Sequence, residues 1–122
     1  MTATLPQPLS PKRGDVVLVL FPNSNLRTAK LRPALIVQAD QLESGLQQII
    51  VAMITSRMFR ANHPSRVRIV QSRPIGQRSG LLSDSVVMTD NLATISEMAI
   101  EQVIGIIPMA EVDAALRHTL HL

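Results

Sequence analysis

The residues of this chain whose types suit chemistry are its arginines and a pair of strand-end hydroxyls. Arg57, Arg60, Arg66, Arg68, Arg73 and Arg78 all fall between Glu43 and Asp84, a window that contains no acid. Thr55 and Ser56 close an apolar run immediately before it. Such groups suit phosphodiester transfer without a metal: a guanidinium stabilises the developing pentavalent phosphate, a hydroxyl positions an oxygen, and the 2′-hydroxyl of an RNA is the nucleophile. Arginine rather than lysine carries nearly all the positive charge, and its planar fork matches phosphate bidentately. The formal net charge of +3 understates this polarity, because from Asp84 onward the acids Asp84, Asp90, Glu97, Glu101, Glu111 and Asp113 face only Arg117. A basic middle and an acidic tail point to a polyanionic partner, the plain alternative being a loop made basic for solubility.

Other chemistries are excluded by what the chain lacks. It has no cysteine, which removes disulfide frameworks, thiolate metal sites and cysteine nucleophiles. His63, His118 and His121 form no HxxxH or HxH pair beside carboxylates, so no metal is expected. No glycine-rich loop leads from a strand into a helix, so the usual nucleotide cofactors are not expected either. Phe21 and Phe59 are the only aromatic residues, too few for a reader of single strands that works by base stacking. The apolar runs Ile49 to Ile54 and Ile104 to Met109 are far shorter than the ~20 residues of a spanning helix, and the start lacks the pattern of an export signal. These features predict a soluble protein of the cytoplasm, away from membranes.

The elements that position these side chains are legible in outline. With 122 residues, 46% of them hydrophobic and 17% charged, the chain suits one domain with a single core. Residues 1 to 13 carry Pro6, Pro8 and Pro11 without apolar period and read as a flexible lead-in, with the domain spanning 14 to 122. Strands are predicted over Gly14 to Phe21, over Ala34 to Gln38 with Pro33 at the start, and over Gln47 to Thr55. Arg66, Val67, Arg68, Ile69 alternates, which puts both arginines on one face of a fourth strand. A turn-rich connection over Arg73 to Gly80 leads to a fifth strand from Asp84 to Thr89. Ser96 caps a short helix with Glu97 in its first turn, and Met109, Val112, Leu116 and Leu120 mark a final helix after Pro108, as core or dimer packing. The expected fold is α+β, mainly β: a small antiparallel barrel with short helices and a C-terminal helix.

Four segments in order also carry a family likeness. They are Gly14-Asp15-Val16-Val17, Lys30-Leu31-Arg32-Pro33-Ala34-Leu35-Ile36-Val37, Ile54-Thr55-Ser56, and Ser79-Gly80-Leu81-Leu82-Ser83-Asp84-Ser85-Val86-Val87. Their order and gaps resemble the MazF/PemK family of toxin endoribonucleases, from Gly14 to about Leu120. The resemblance implies an SH3-like barrel and a homodimer blocked by a cognate, acidic antitoxin. It implies metal-independent cleavage of single-stranded RNA, with no cofactor, leaving a cyclic phosphate or 3′-phosphate and a 5′-hydroxyl. It assigns catalysis to Arg32 and Thr55, and places Asp90, before Asn91, as a third catalytic group. Arg32 is expected to stabilise charge rather than act as a base, since a guanidinium stays protonated at neutral pH.

This sequence departs from the family pattern at two points. Arg27 stands where many members have a Glu after the first strand, and Ala93-Thr94-Ile95 replaces an Arg-Thr-Ile motif. Lys30, Arg27 and the arginines of the basic window are the available compensating groups, which makes Arg27, Lys30, Ser56, Arg57, Arg60, Arg66 and Arg68 the expected RNA-binding set. The departures also motivate a rival reading, a family-like protein that binds RNA or an antitoxin without cutting. A gyrase poison of the related CcdB type, which relies on a C-terminal tryptophan, is disfavoured because the chain has no tryptophan.

Overall fold

The structure is a computed structural model and describes residues 10 to 122. Its strands are β1 (Asp15–Pro22), β2 (Ala29–Ile36), β3 (Gln48–Thr55), β4 (Arg66–Ile69), β5 (Ser85–Ser96) and β6 (Ile100–Ile106). Helix α1 (Pro74–Ser79) joins β4 to β5, a single 3-10 turn (Glu97–Ala99) joins β5 to β6, and α2 (Ala110–Leu120) ends the chain. The strands form one antiparallel sheet in the order β4-β5-β3-β2-β1-β6. The curled, mainly β sheet with short helices is the architecture expected from the sequence.

Alternation along the strands builds two apolar clusters from the two faces of this sheet. Val16, Leu35, Ala52, Ile54, Val67 and Val87 belong to a cluster that Val112 and Ala115 of α2 close. Val17, Val19, Ala34, Ile36, Val51 and Met53 belong to the other, which Ile95 and Ile100 close as the sheet curls. Because both faces of most of β1 and β3 and of the end of β2 from Ala34 are covered, these stretches read as continuous apolar runs rather than as a polar–apolar alternation, whereas Ala29 to Arg32 of β2 are exposed. In α2, Val112 is fully buried and Leu116 packs against the first cluster, as does Met109 just before the helix. Leu120 is instead 49% exposed, at the end of the predicted stripe.

Several boundaries differ from the sequence reading, each for a physical reason. Pro33 does not start β2; it lies within it, opposite Leu18 of β1. It is tolerated because β3 pairs with β2 only from Ala34 onward, so the edge beside Pro33 needs no N–H. The turn-rich segment after Arg73 contains α1, started by Pro74 and ended by Gly80 in the left-handed region at φ 73°. β5 runs on to Ser96, well beyond Thr89, and the apolar stretch after Ala99, to which the sequence reading gave no element, is a sixth strand. The Ser96 cap is present: its Oγ accepts the Met98 N–H at 3.2 Å, with Glu97 in the first turn.

Residues 1 to 9 of the expected lead-in lie outside the described residues. Arg13 is anchored: its N–H donates to Asp40, its Nε to the Val37 carbonyl and its Nη2 to Asp113. That arginine ties the start of β1 to α2, about which sequence spacing says nothing. No helix among the described residues is long and apolar enough to cross a membrane.

Candidate active site

The parting of β2 from β3 creates the site. Their pairing runs Ile36 with Val51, Leu35 with Ala52 and Ala34 with Met53. One step further the register sets Pro33 opposite Ile54, and proline has no N–H with which to continue a ladder. Arg32 and Thr55 follow on the two strands past the last pair, and both line the gap. Beyond Ala34, β2 stays with β1 as far as Ala29 opposite Pro22, while β3 stays with β5 as far as Thr55 opposite Val86. The gap between the diverging strands is a groove of about 610 Å³.

Its rim is cationic and hydroxylic, and its floor is apolar. Lys30 and Arg32 come from β2, Thr55 from the end of β3, and Ser56 and Arg57 from the residues that follow. Leu18, Leu31, Pro33, Ile54, Leu81 and Ile104 supply the apolar surface. Lys30, Arg32, Ser56 and Arg57 are exposed, and Thr55 is half-buried. The salt bridges among the described residues are Arg13–Asp113 and Arg66–Asp90, so the groove cations take part in neither. No carboxylate or imidazole lines the groove. It therefore presents uncompensated positive charge to a solvent-filled channel, the electrostatic condition for holding a phosphodiester backbone.

Thr55 has the geometry of a donor. Its Oγ1 accepts the Arg57 N–H at 3.1 Å, a local turn that fixes the hydroxyl oxygen and leaves its proton to point elsewhere. Beside Thr55, where β5 follows β3 as far as Val86, Ser83 and Ser85 add hydroxyls that sequence reasoning left without a role. Their loop is held by Asp84, whose Oδ1 accepts the Gln71 N–H at 2.8 Å, and by Ser85 Oγ donating to the Ser83 carbonyl at 2.9 Å. The signal for them was the glycine at position 80, whose left-handed backbone ends α1 and swings the following residues toward β3.

Other expected site residues lie elsewhere. Asp90 is not in the groove. It sits where β5 carries extra residues between Met88 and Leu92, opposite the consecutive Met53 and Ala52 of β3. Both its oxygens are taken by Arg66, from Nε at 2.8 Å and Nη2 at 3.2 Å. Next to it, Thr89 Oγ1 donates to the Ser65 carbonyl at 2.6 Å and meets Thr119 Oγ1 at 2.7 Å, so this stretch ties β4 and α2 to β5. Asp90 and Arg66 thus occupy one another, which sequence alternation cannot reveal. Arg68 shares the face of Arg66 but lines a separate concavity between β4 and the start of α2. Arg27 lies in the β1–β2 loop with its N–H on Asn25 Oδ1, and it does not line the groove. Arg60 lies beyond the groove, in the loop after Arg57. Ala93 pairs with Val51 and packs against the second apolar cluster.

Comparison with known proteins bears on the fold and the family. The sequence model of the family described as PemK-like, MazF-like toxin of type II toxin-antitoxin system matches residues 12–120. Among solved structures, the chain is similar to an endoribonuclease in complex with its cognate antitoxin from a mycobacterial species. Identity there is 22%, with 93% of this chain and 97% of that one covered at a TM-score of 0.69. It is also similar to a MazE-MazF structure from Deinococcus radiodurans, at 21% identity, 92% and 97% coverage and a TM-score of 0.69. For the Mycobacterium tuberculosis toxin MazF-mt6 the values are 23%, 87% and 97%, and 0.62. These likenesses carry the fold, and with a family match that runs from Lys12 to Leu120 across both strands of the groove, the chain belongs to the PemK-like, MazF-like toxins of type II toxin-antitoxin systems.

Proposed function

We propose that this toxin is an endoribonuclease that cuts single-stranded RNA in the groove between β2 and β3, in the cytoplasm and without a metal. The observation that carries the reading is that Arg32 and Thr55 line the same groove where the strands part, beside the cations Lys30 and Arg57, which enter no salt bridge among the described residues. The RNA 2′-oxygen attacks the adjacent phosphorus, the bond from phosphorus to the 5′-oxygen breaks, and a 2′,3′-cyclic phosphate and a 5′-hydroxyl result. Arg32 holds the negative charge that grows on the non-bridging oxygens, and the Thr55 hydroxyl donates to one of them. With no carboxylate or imidazole on the rim, the 2′-hydroxyl proton passes to water, and the leaving 5′-oxygen takes a proton from water.

The same groove suits the partners of the reading. An acidic antitoxin segment would compete with RNA for Lys30, Arg32 and Arg57, and a homodimer would cover part of the exposed apolar surface. The absence of a groove acid and the Ala93 departure favour one rival, a family member that binds RNA without cutting it. Incubating the purified protein with end-labelled RNA of mixed sequence in excess EDTA decides between them. Cleavage to products with a cyclic phosphate is expected; intact RNA, bound by folded protein, would establish the binder.

A further inference from the structure

The second aromatic residue of the chain sits outside the groove in a way that core packing does not explain. Phe59 is 79% exposed, whereas Phe21 packs against an apolar cluster. The Arg60 guanidinium lies 5.5 Å from the centroid of the Phe59 ring, within cation–π range. Arg60 enters no salt bridge among the described residues. The loop carrying them is built from successive turns, with Ala61 N–H on the Met58 carbonyl at 2.9 Å and His63 N–H on the Arg60 carbonyl at 3.1 Å. The pair is therefore displayed on an ordered backbone. Phe59 follows the groove residue Arg57 by two positions, which keeps their Cα atoms within about 7 Å.

We propose that Phe59 and Arg60 form a base-stacking platform for an unpaired nucleobase of the RNA, one step outside the groove on the side of Thr55. The proposal rests on the reading of the groove as an RNA channel. An exposed ring beside a guanidinium offers a flat apolar surface next to a cation, and unpaired bases stack on such surfaces whatever their sequence. The occupant is RNA because the ring follows Arg57 of the RNA channel by two residues, its flat face suits a flat base, and arginine forks in this acid-free segment match phosphates bidentately. An acidic protein would meet the same cations, which the polyglutamate titration below tests. The platform would hold a base flanking the scissile bond, so it adds affinity without touching the reacting atoms. A single aromatic suffices for this because the groove cations carry the backbone, which the count of aromatic residues did not take into account.

The chain has neither tryptophan nor tyrosine, so Phe59→Trp introduces its only indole. The test titrates this variant with fully 2′-O-methylated oligoadenylate, which cannot be cut. A matched strand with abasic residues and polyglutamate serve as comparison titrants. Strong quenching by oligoadenylate, and little by the abasic strand at saturating concentration, is expected. In parallel, Phe59→Ala should weaken oligoadenylate binding about tenfold, as loss of one stacked base does. The same change should leave binding of the abasic strand and the unfolding midpoint unaltered. Equal quenching by abasic and base-bearing strands, or an unchanged oligoadenylate affinity in Phe59→Ala, would overturn the platform while leaving the RNA channel intact. Quenching by polyglutamate alone would assign the ring to a protein partner and overturn it too. If the wild-type protein binds none of the nucleic acids, the channel reading itself has failed.

Discussion

Arg32 is exposed and outside any salt bridge among the described residues, so its charge is available to a substrate. If it acts on charge that develops only in the transition state, Arg32→Ala should lower single-turnover cleavage by about a hundredfold or more, with a far smaller change in RNA affinity. Arg32→Lys should recover part of the rate, because an ammonium keeps the charge and loses the fork. Equal losses in rate and affinity would make Arg32 a phosphate clamp instead. Thr55→Val keeps the β-branched shape that suits the strand end and deletes the donor, so cleavage should slow with the unfolding midpoint little changed. Asp90 answers to a different test. Its carboxylate is engaged twice by Arg66, whose side chain is 13% exposed, so Arg66→Ala should reduce stability by about 1 kcal/mol through loss of a paired, partly buried charge. An Arg66→Ala variant of normal stability and impaired RNA binding would contradict this assignment.

Pro33 decides, at the level of elements, how far two strands may pair. It denies β3 an N–H at the step after Ala34 and Met53, and the groove opens there. Pro33→Val restores a donor and a residue that favours strands, so the ladder should lengthen and the groove should narrow. The expected outcome is a protein at least as stable as the wild type, with slower amide exchange at the restored pair and reduced cleavage; unchanged cleavage would show that the parting has another cause. The opposite wall depends on close approach. A Cβ on Gly105 of β6 would collide with the Arg78 carbonyl and the Ser79 backbone, where the end of α1 crosses the strand. Gly105→Ala should therefore cost about 2 kcal/mol or more by forcing backbone apart, visible as a lowered denaturation midpoint. It should also displace the Leu81 to Ser85 lip of the groove.

The charge distribution predicts salt-sensitive binding by the whole molecule. Lys30, Arg32 and Arg57 on the rim, with Arg60 beyond it, give a slope of log affinity against log salt of about −2 to −3 for a single strand. Arg57→Ala should make that slope shallower by about 0.7, whereas Arg66→Ala should not, since Asp90 already neutralises Arg66. A flat dependence would remove the rim cations from the RNA contact. The proposed homodimer is read from association: stability should rise with protein concentration, and sedimentation should give a dimer at micromolar concentration. A monomer under those conditions would refute it.

The sequence alone determined the strand-rich core, the closing helix and the basic middle of the chain, because apolar runs, helical spacing and acid-free windows are local properties. It also placed Arg32 and Thr55 through their resemblance to a family, and both line the same groove. What it could not determine was pairing across long separations. The engagement of Asp90 by Arg66, the anchoring of Arg13 by Asp113 of α2 and the separation of Arg68 from the groove all depend on which elements lie side by side. β5 was cut short at Thr89 because its extra residues, Thr89 to Asn91, interrupt the alternation from which a strand is read. The tail after Ala99 forms a strand because the edge of β1 was free to take it, with Val17 opposite Val103, a tertiary gain that local propensity does not express.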